Sequence, residues 1–539
     1  MRRSNVMTLL LAAVLVMAVA LAGCGNNAGN SNADAGNGGN SGTSGNSKTD
    51  GNTGAGDKAS GTTDNGAAGT GNAAATTDID LSKHVNLTMY LIGSPARDYD
   101  MVLAELNKKL EKDLNATLKV NWVGWADYGT QYPLLLASGE PIDLIYASTW
   151  TNFYQNARKG AFMDVKDLAK KYAPKSLAQI TPDFYKQTEL DGHLYAIPSE
   201  FYQYGDMGYI VRGDLMKKYG LTSIDNIDDY GKFMDAVVKN DPQLDPSGDI
   251  SSSGGLESYY ANSQGYYGIL SSQFSPFYIN MDDANPKIFN LYETDGILDY
   301  FKKMKDWGDK GYWSKSILSN KDDKMLTEGK AASKLHNQDS WSGVYMEHPD
   351  WDVQFYLNSK YTYKTQAMQD GMAVPASSKN PERALMLLEL LRTDRSYNNL
   401  LTYGIEGKHY EITADNKLKP LDLDGFAPDG YCSWGFKAPE LRYDVVGTPP
   451  NNAEVRQRLA DRARENPYAL FTPDFEPVKN EMAAVTNIVQ QYSFPLNYGY
   501  VKNPEDGLKT LQSKIKAAGA EKIMNEMQKQ LDAFLAANK

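Results

Sequence analysis

Cysteine is all but missing: the chain of 539 residues carries two, Cys24 and Cys432. That scarcity excludes a disulfide-stapled scaffold and a cysteine-ligated metal site. Histidine is almost as rare. The five present (His84, His193, His336, His348 and His409) are scattered at no metal-ligand spacing, so neither a metal nor another cofactor is expected. No His-Glu-x-x-His, no Walker loop and no Gly-x-Ser-x-Gly elbow occurs, which removes three common hydrolytic signatures. Basic residues are outnumbered, 55 against 67 acidic, for a net charge of -12. A surface this acidic is a poor partner for nucleic acid.

What is present begins with an export signal. Arg2 and Arg3 form a basic start, Met7 to Leu21 an apolar stretch, and Leu21-Ala22-Gly23-Cys24 a small-residue cleavage site. A transmembrane anchor is the alternative, but a spanning helix needs ~20 apolar residues, and this run stops short of that, just before a cysteine. Leu-Ala-Gly-Cys resembles the bacterial lipobox, which implies removal of residues 1–23 and lipidation of Cys24 by acyl chains such as palmitate. Stable anchoring takes more than one chain, each buried methylene contributing ~0.8 kcal/mol. With Cys24 acylated, Cys432 has no disulfide partner within the chain.

Residues 25–77 consist of Gly, Asn, Ala, Ser, Thr, Asp and Lys, with no apolar side chain larger than alanine. Such a segment cannot bury enough surface to offset its ordering entropy. With the lipidated cysteine it reads as a flexible tether, residues 24–77, with an r.m.s. span of ~40 Å. The remainder, residues 78–539, is more than a single ordinary core holds and implies two lobes or more.

The first of these opens as an α/β sheet. Val85, Leu87, Met89 and Leu91 alternate with polar residues as a strand, and Gly93-Ser94-Pro95 ends it. Val102, Leu103, Leu106, Leu110 and Leu114 then recur at helical spacing over about 98–114, and Leu118, Val120 and Trp122 alternate as a second strand. Strand, helix, strand is a right-handed crossover onto a parallel sheet. A further helix around Tyr132 to Ser138 leads to a buried strand, Ile142 to Tyr146. Ligands gather outside the carboxyl ends of such strands. Trp125, after the second strand, and Thr149 and Trp150, after the third, are therefore candidate contacts, with Trp150 the leading candidate for a stacking ring.

Leu190-Asp191-Gly192-His193-Leu194-Tyr195-Ala196-Ile197-Pro198 reads as a hairpin on its Asp-Gly turn. This run is similar to a feature of family 1 extracellular solute-binding proteins, the sugar-binding receptors of ABC importers. Val211 to Leu221, Thr327 to Ala332, Pro381 to Leu385 and Tyr403 to Tyr410 resemble other landmarks of that family. From about Asn451 onward the chain resembles a C-terminal region of unknown function in Gram-positive members. The resemblance implies an α/β, two-lobed, periplasmic-binding-protein-like fold with hinge crossings and extra C-terminal helices. It implies lobe 1 beginning at 78–203, lobe 2 at 204–335, and a return to both lobes plus a helical end over 336–539. The helix from Pro504 to Ala537 would pack against lobe 1. The implied partners are an oligosaccharide or other small solute and ABC permease subunits, with a monomeric receptor lipid-anchored on the extracellular face of the membrane. Lack of a Walker loop fits, since a separate subunit hydrolyses ATP.

Candidate ligand contacts lie at the expected lobe crossings. The first holds Glu200, Tyr202 and Tyr204; the return, near 336–341, holds Asn337, Asp339 and Trp341. Glu406 and Trp434 complete the set. Rings cover the apolar faces of a sugar, while carboxylates and amides pair with its hydroxyls. Core packing explains any single one of these rings as well as ligand contact does. Two other readings use the same residues. A carbohydrate-sensing lipoprotein would signal to a membrane kinase. A glycosidase would need two carboxylates ~5 to 10 Å apart, for which Glu200, Asp206, Asp339 and Glu406 are available. Calcium loops at Asp245 to Ser251 and Asp422 to Gly425 fail the EF-hand pattern and read as turns.

Overall fold

The structure, a computed structural model, describes residues 79–537 apart from 126, 200–203, 205–207, 249–255, 271–273, 321, 323, 358, 365–366, 429 and 431–432. Cys24, the tether and Cys432 lie outside the described residues, as do Glu200 and Tyr202.

Lobe 1 is built on a five-stranded sheet. Its order is Ala116–Val123, Val85–Ile92, Leu144–Ala147, Gly371–Ala373, Ala196–Pro198. The first three are parallel, with Met89 opposite both Val120 and Leu144, and Gly371–Ala373 pairs antiparallel with both of its neighbours. Period-two alternation places Leu87, Met89 and Leu91 on one buried face. The helix Tyr99–Leu114 buries Tyr99, Val102, Leu106, Leu110 and Leu114 at three- and four-residue spacing, each fully buried leucine contributing ~1.5–3 kcal/mol. It stops at Asn115, whose φ of 45° turns the chain into the parallel return strand. The Asp-Gly hairpin forms as expected: Glu189–Leu190 pairs with His193–Leu194, and Asp191 and Gly192 hold φ of 55° and 86°, the signs a type I′ turn requires.

Lobe 2 centres on an antiparallel sheet in the order Ser333–His336, Gly208–Val211, Gln354–Leu357. Ile227–Asn240 and Ile297–Asp309 supply Tyr230, Phe233, Met234, Val237, Tyr300, Phe301, Met304 and Trp307 to its core. Because His336 and Gln354–Leu357 belong to one sheet, the return crossing comes later than the sequence implied. It lies between Leu357 and Gly371, not at 336–341.

The C-terminal helices depart from expectation more strongly. Val485, Val489, Leu508, Leu511, Ile515, Ile523, Met527 and Leu531 join the core of lobe 2, not lobe 1. An amphipathic face shows that a partner exists without saying which. Here Trp313 donates its indole N–H to the Tyr498 carbonyl at 2.9 Å. Gly308 lets that same carbonyl approach so closely that a Cβ would stand 2.5 Å from it. The single helix read from Pro504 to Ala537 is two, Pro504–Ala517 and Ala520–Ala537, broken at Gly519 with φ 95°.

Candidate ligand cleft

Three tryptophans meet at the carboxyl ends of the lobe 1 strands. Trp125 follows the strand Ala116–Val123, Trp150 sits in the short turn Thr149–Thr151, and Trp434 in the turn Ser433–Phe436. The rings of Trp125 and Trp150 lie 5.9 Å apart, those of Trp125 and Trp434 6.1 Å, each pair tilted by 33°. Tyr128 meets Trp150 edge-on at 5.3 Å, and the buried Tyr146 ring underlies Trp150 at 5.3 Å. Trp125 remains 37% exposed, whereas Trp150 and Trp434 are half-buried against the lobe 1 core. The result is a shelf of rings with accessible faces.

Local chemistry holds the shelf still. Ser148 caps the Trp150 turn: its Oγ accepts from the Trp150 backbone N–H, its own N–H donates to Thr151 Oγ1 at 2.9 Å, and its hydroxyl donates to the Gln369 carbonyl at 2.5 Å. Gly93, with φ 118°, leaves room for the Trp125 indole; a Cβ there would stand 3.2 Å from its Nε1.

Charge enters from beneath. Tyr146 donates its hydroxyl to Asp370 Oδ1, and Lys437, itself buried, places its ammonium 5.8 Å from the Trp434 ring centre. Burial raises the Asp370 carboxyl above its ordinary range; Lys437 and the Tyr146 hydrogen bond oppose this, and Asp339 adds to it. Asp339 belongs to the helix Gln338–Glu347 of lobe 2, so both lobes are felt at Asp370. Beside that helix, burial and Lys334 push His336 down to about 4, leaving it neutral.

The model for a bacterial extracellular solute-binding protein matches residues 105–405, more than half of the chain. The chain belongs to the bacterial extracellular solute-binding family. A second model, a domain of unknown function, DUF3502, matches residues 467–536 of this solute-binding protein. A carbohydrate ABC transporter substrate-binding protein of Streptococcus pneumoniae is 27% identical over 455 residues, covering 83% of this chain and 91% of that one. Lipoprotein LipO of Bacillus subtilis is 22% identical, covering 68% and 76%. Among solved structures, the N-glycan transport solute-binding protein NgtS of Streptococcus pneumoniae in complex with Man1GlcNAc matches with a TM-score of 0.72 and 24% identity. That match covers 84% of this chain and 100% of NgtS. The shared architecture is the two-lobed one. No helix among the described residues is long and apolar enough to cross a membrane.

The residues singled out from the sequence separate into three groups. Trp125, Trp150 and Trp434 converge as described, and Thr149 flanks Trp150 in its turn. Asn337 and Asp339 stand at the start of the lobe 2 helix, where the Asn337 side chain accepts from the Ser340 N–H at 3.0 Å and caps it. Trp341, Tyr204 and Glu406 are placed otherwise. Trp341 is 0% exposed, stacks on Phe355 at 5.9 Å and donates its indole N–H to the Val353 carbonyl at 2.7 Å. Its ring is core filling and offers no face to a ligand. Tyr204 packs against that same small core. Glu406, on an exposed turn, borders a shallow groove of about 950 Å³ on lobe 1 with Lys108, Lys109, Arg395 and Tyr443; none of the tryptophans lines it. Sequence reasoning did not single out Tyr146, Asp370 or Lys437, which lie beneath the ring shelf. The one signal for Asp370 was its place, a carboxylate immediately before the apolar strand Gly371–Ala373.

Proposed function

We propose that this solute-binding protein captures an oligosaccharide on the ring shelf and delivers it to the permease of an ABC importer. The shelf of Trp125, Trp150 and Trp434 carries the reading. Rings about 6 Å apart suit neighbouring sugar units, whose C–H faces stack on aromatic faces while their hydroxyls find carboxylate and amide acceptors. The kinship with a carbohydrate transporter's binding protein and with NgtS supports the same class of ligand. Lipidation at Cys24 would tether the receptor to the outer face of the membrane, with residues 25–77 giving reach. The protein acts as a monomer and performs no chemistry on its cargo. Ligand bridging both lobes favours the closed form by its differential affinity, and the permease reads closure as occupancy.

A thermal-shift screen tests this. The panel is Man1GlcNAc, kestose and maltose, sugars of distinct linkage. A sugar at ~100 times its dissociation constant adds ~2.7 kcal/mol of stability, a rise of several degrees. Incubation with the same sugars should release no new reducing ends. A panel without a single shift, or the appearance of cleaved product, refutes the proposal.

A further inference from the structure

Asp370 is 3% exposed, and its two carboxylate oxygens are treated differently. Oδ1 accepts the Tyr146 hydroxyl, whereas Oδ2 is buried and receives no hydrogen bond among the described residues. Buried carboxylate oxygens are costly to leave unpaired, and native structures seldom do so without a use for them. Three nearby donors are directed to backbone carbonyls instead. The Ser199 N–H donates to the Asp370 carbonyl at 2.8 Å, and the Ser199 hydroxyl to the Lys437 carbonyl at 3.0 Å. Arg392, fully buried, donates to the Pro198 carbonyl on the adjoining strand at 2.9 Å. Lys437 acts on the carboxyl through its charge without donating to Oδ2, and Asp339 of lobe 2 acts on it electrostatically in the opposite sense.

The position is as informative as the chemistry. Asp370 lies at the lobe 1 end of the return crossing, immediately before the strand Gly371–Ala373, and its Tyr146 partner carries the ring beneath Trp150. We propose that Asp370 Oδ2 is a specificity-determining acceptor, taking a hydrogen bond from a hydroxyl or acetamido N–H of the sugar unit stacked on Trp150. This rests on the oligosaccharide reading and deepens it. The shelf supplies affinity for any sugar face, and Oδ2 selects units that present a donor at their edge. An analogue lacking that donor leaves the buried oxygen unpaired and is rejected.

Asp370→Asn in the whole protein tests the assignment, because it keeps shape and the Tyr146 bond while replacing the acceptor with an amide N–H. Two measurements are made at pH 7.5: the unfolding midpoint without ligand, and affinity by calorimetry for whichever of Man1GlcNAc, kestose and maltose stabilises the wild-type protein most. The expected result is a midpoint equal to or above wild type, since a buried unpaired acceptor has been removed, with affinity lowered at least about tenfold. A variant that fails to fold, or melts more than about 5 °C lower, shows that Oδ2 serves the fold and overturns the assignment. Undiminished sugar binding by the variant overturns this assignment alone. A wild-type protein that no sugar stabilises removes the oligosaccharide reading and the sugar donor with it.

Discussion

Asn497 donates its side-chain amide to Glu257 at 2.8 Å, joining helices that lie 240 residues apart in sequence. The other carboxylate oxygen accepts the Tyr292 hydroxyl at 2.9 Å, and Asn497 in turn accepts from Tyr300 at 2.9 Å. This chain of polar contacts runs through the seam between lobe 2 and the DUF3502 region. Burial raises the Glu257 carboxyl to about 7, the two hydrogen bonds offsetting part of the shift. A folded-state pKa above the unfolded one means that the folded protein binds the proton more tightly. Its contribution to stability is present in full below about 4.5 and lost as pH rises through about 7. The wild-type unfolding midpoint should therefore fall by several degrees between pH 5 and pH 8. Glu257→Gln, which stays neutral while the Tyr292 hydroxyl turns to suit it, should flatten that fall by about 1–3 kcal/mol. Calorimetric melting of both proteins across this range checks it; parallel profiles would exclude Glu257 as the source.

Trp150 and Trp341 were both candidate ligand contacts in the sequence and should behave oppositely in the laboratory. Trp150→Ala removes a half-buried shelf ring and should weaken sugar binding more than about tenfold with a modest change in stability. Trp341→Ala empties a fully buried site and strands the Val353 carbonyl, costing about 3–5 kcal/mol of stability. Melting curves paired with calorimetric titration separate the two. Equal loss of affinity in both variants, with equal stability, would contradict the placement of Trp341 in the core.

How much was legible follows from what each signal encodes. Local periodicity gave the strands at Val85 and Ala116 and the helix between them within a residue or two, because alternation and helical spacing are properties of consecutive residues. The strand-end rule then singled out Trp125 and Trp150, whose rings the fold brings together, without any knowledge of contacts. Trp341 failed for the complementary reason: its ring stands in a short run of polar residues, and burial there depends on Phe355 and Val353, supplied by a later strand. Asp370 and Lys437 are invisible by the same logic, since neither belongs to a motif and they meet only through the return crossing. The C-terminal helices declared their apolar faces but not their partner.

Those helices are integral to lobe 2. Their buried Val485, Leu508, Leu511, Ile515 and Leu531 belong to the same core as Tyr300, Phe301 and Trp307. Deleting residues 467–539 should leave lobe 2 with an exposed apolar face, giving insoluble protein or a species that binds hydrophobic dye, while lobe 1 keeps its own core. A milder probe is Gly308→Ala, whose added Cβ meets the Tyr498 carbonyl and should cost about 1–3 kcal/mol. A soluble, cooperatively melting truncation would refute the shared core.

Trp125 offers a direct readout of shelf occupancy. Of the eight tryptophans, Trp307, Trp313 and Trp341 are buried, whereas Trp125, the shelf ring that touches both Trp150 and Trp434, is 37% exposed. Acrylamide reaches an exposed indole far more readily than an enclosed one, so Trp125 should dominate quenching of the ligand-free protein. A sugar lying across the faces of Trp125 and Trp150 would cover that ring, lowering the quenching slope and shifting emission to shorter wavelength. Trp125→Phe keeps a ring on the shelf but should abolish most of both effects while retaining measurable binding. If the bound sugar changes quenching as much in the variant as in the wild-type protein, the ligand sits elsewhere. The converging rings at the strand ends would then be packing rather than a binding surface.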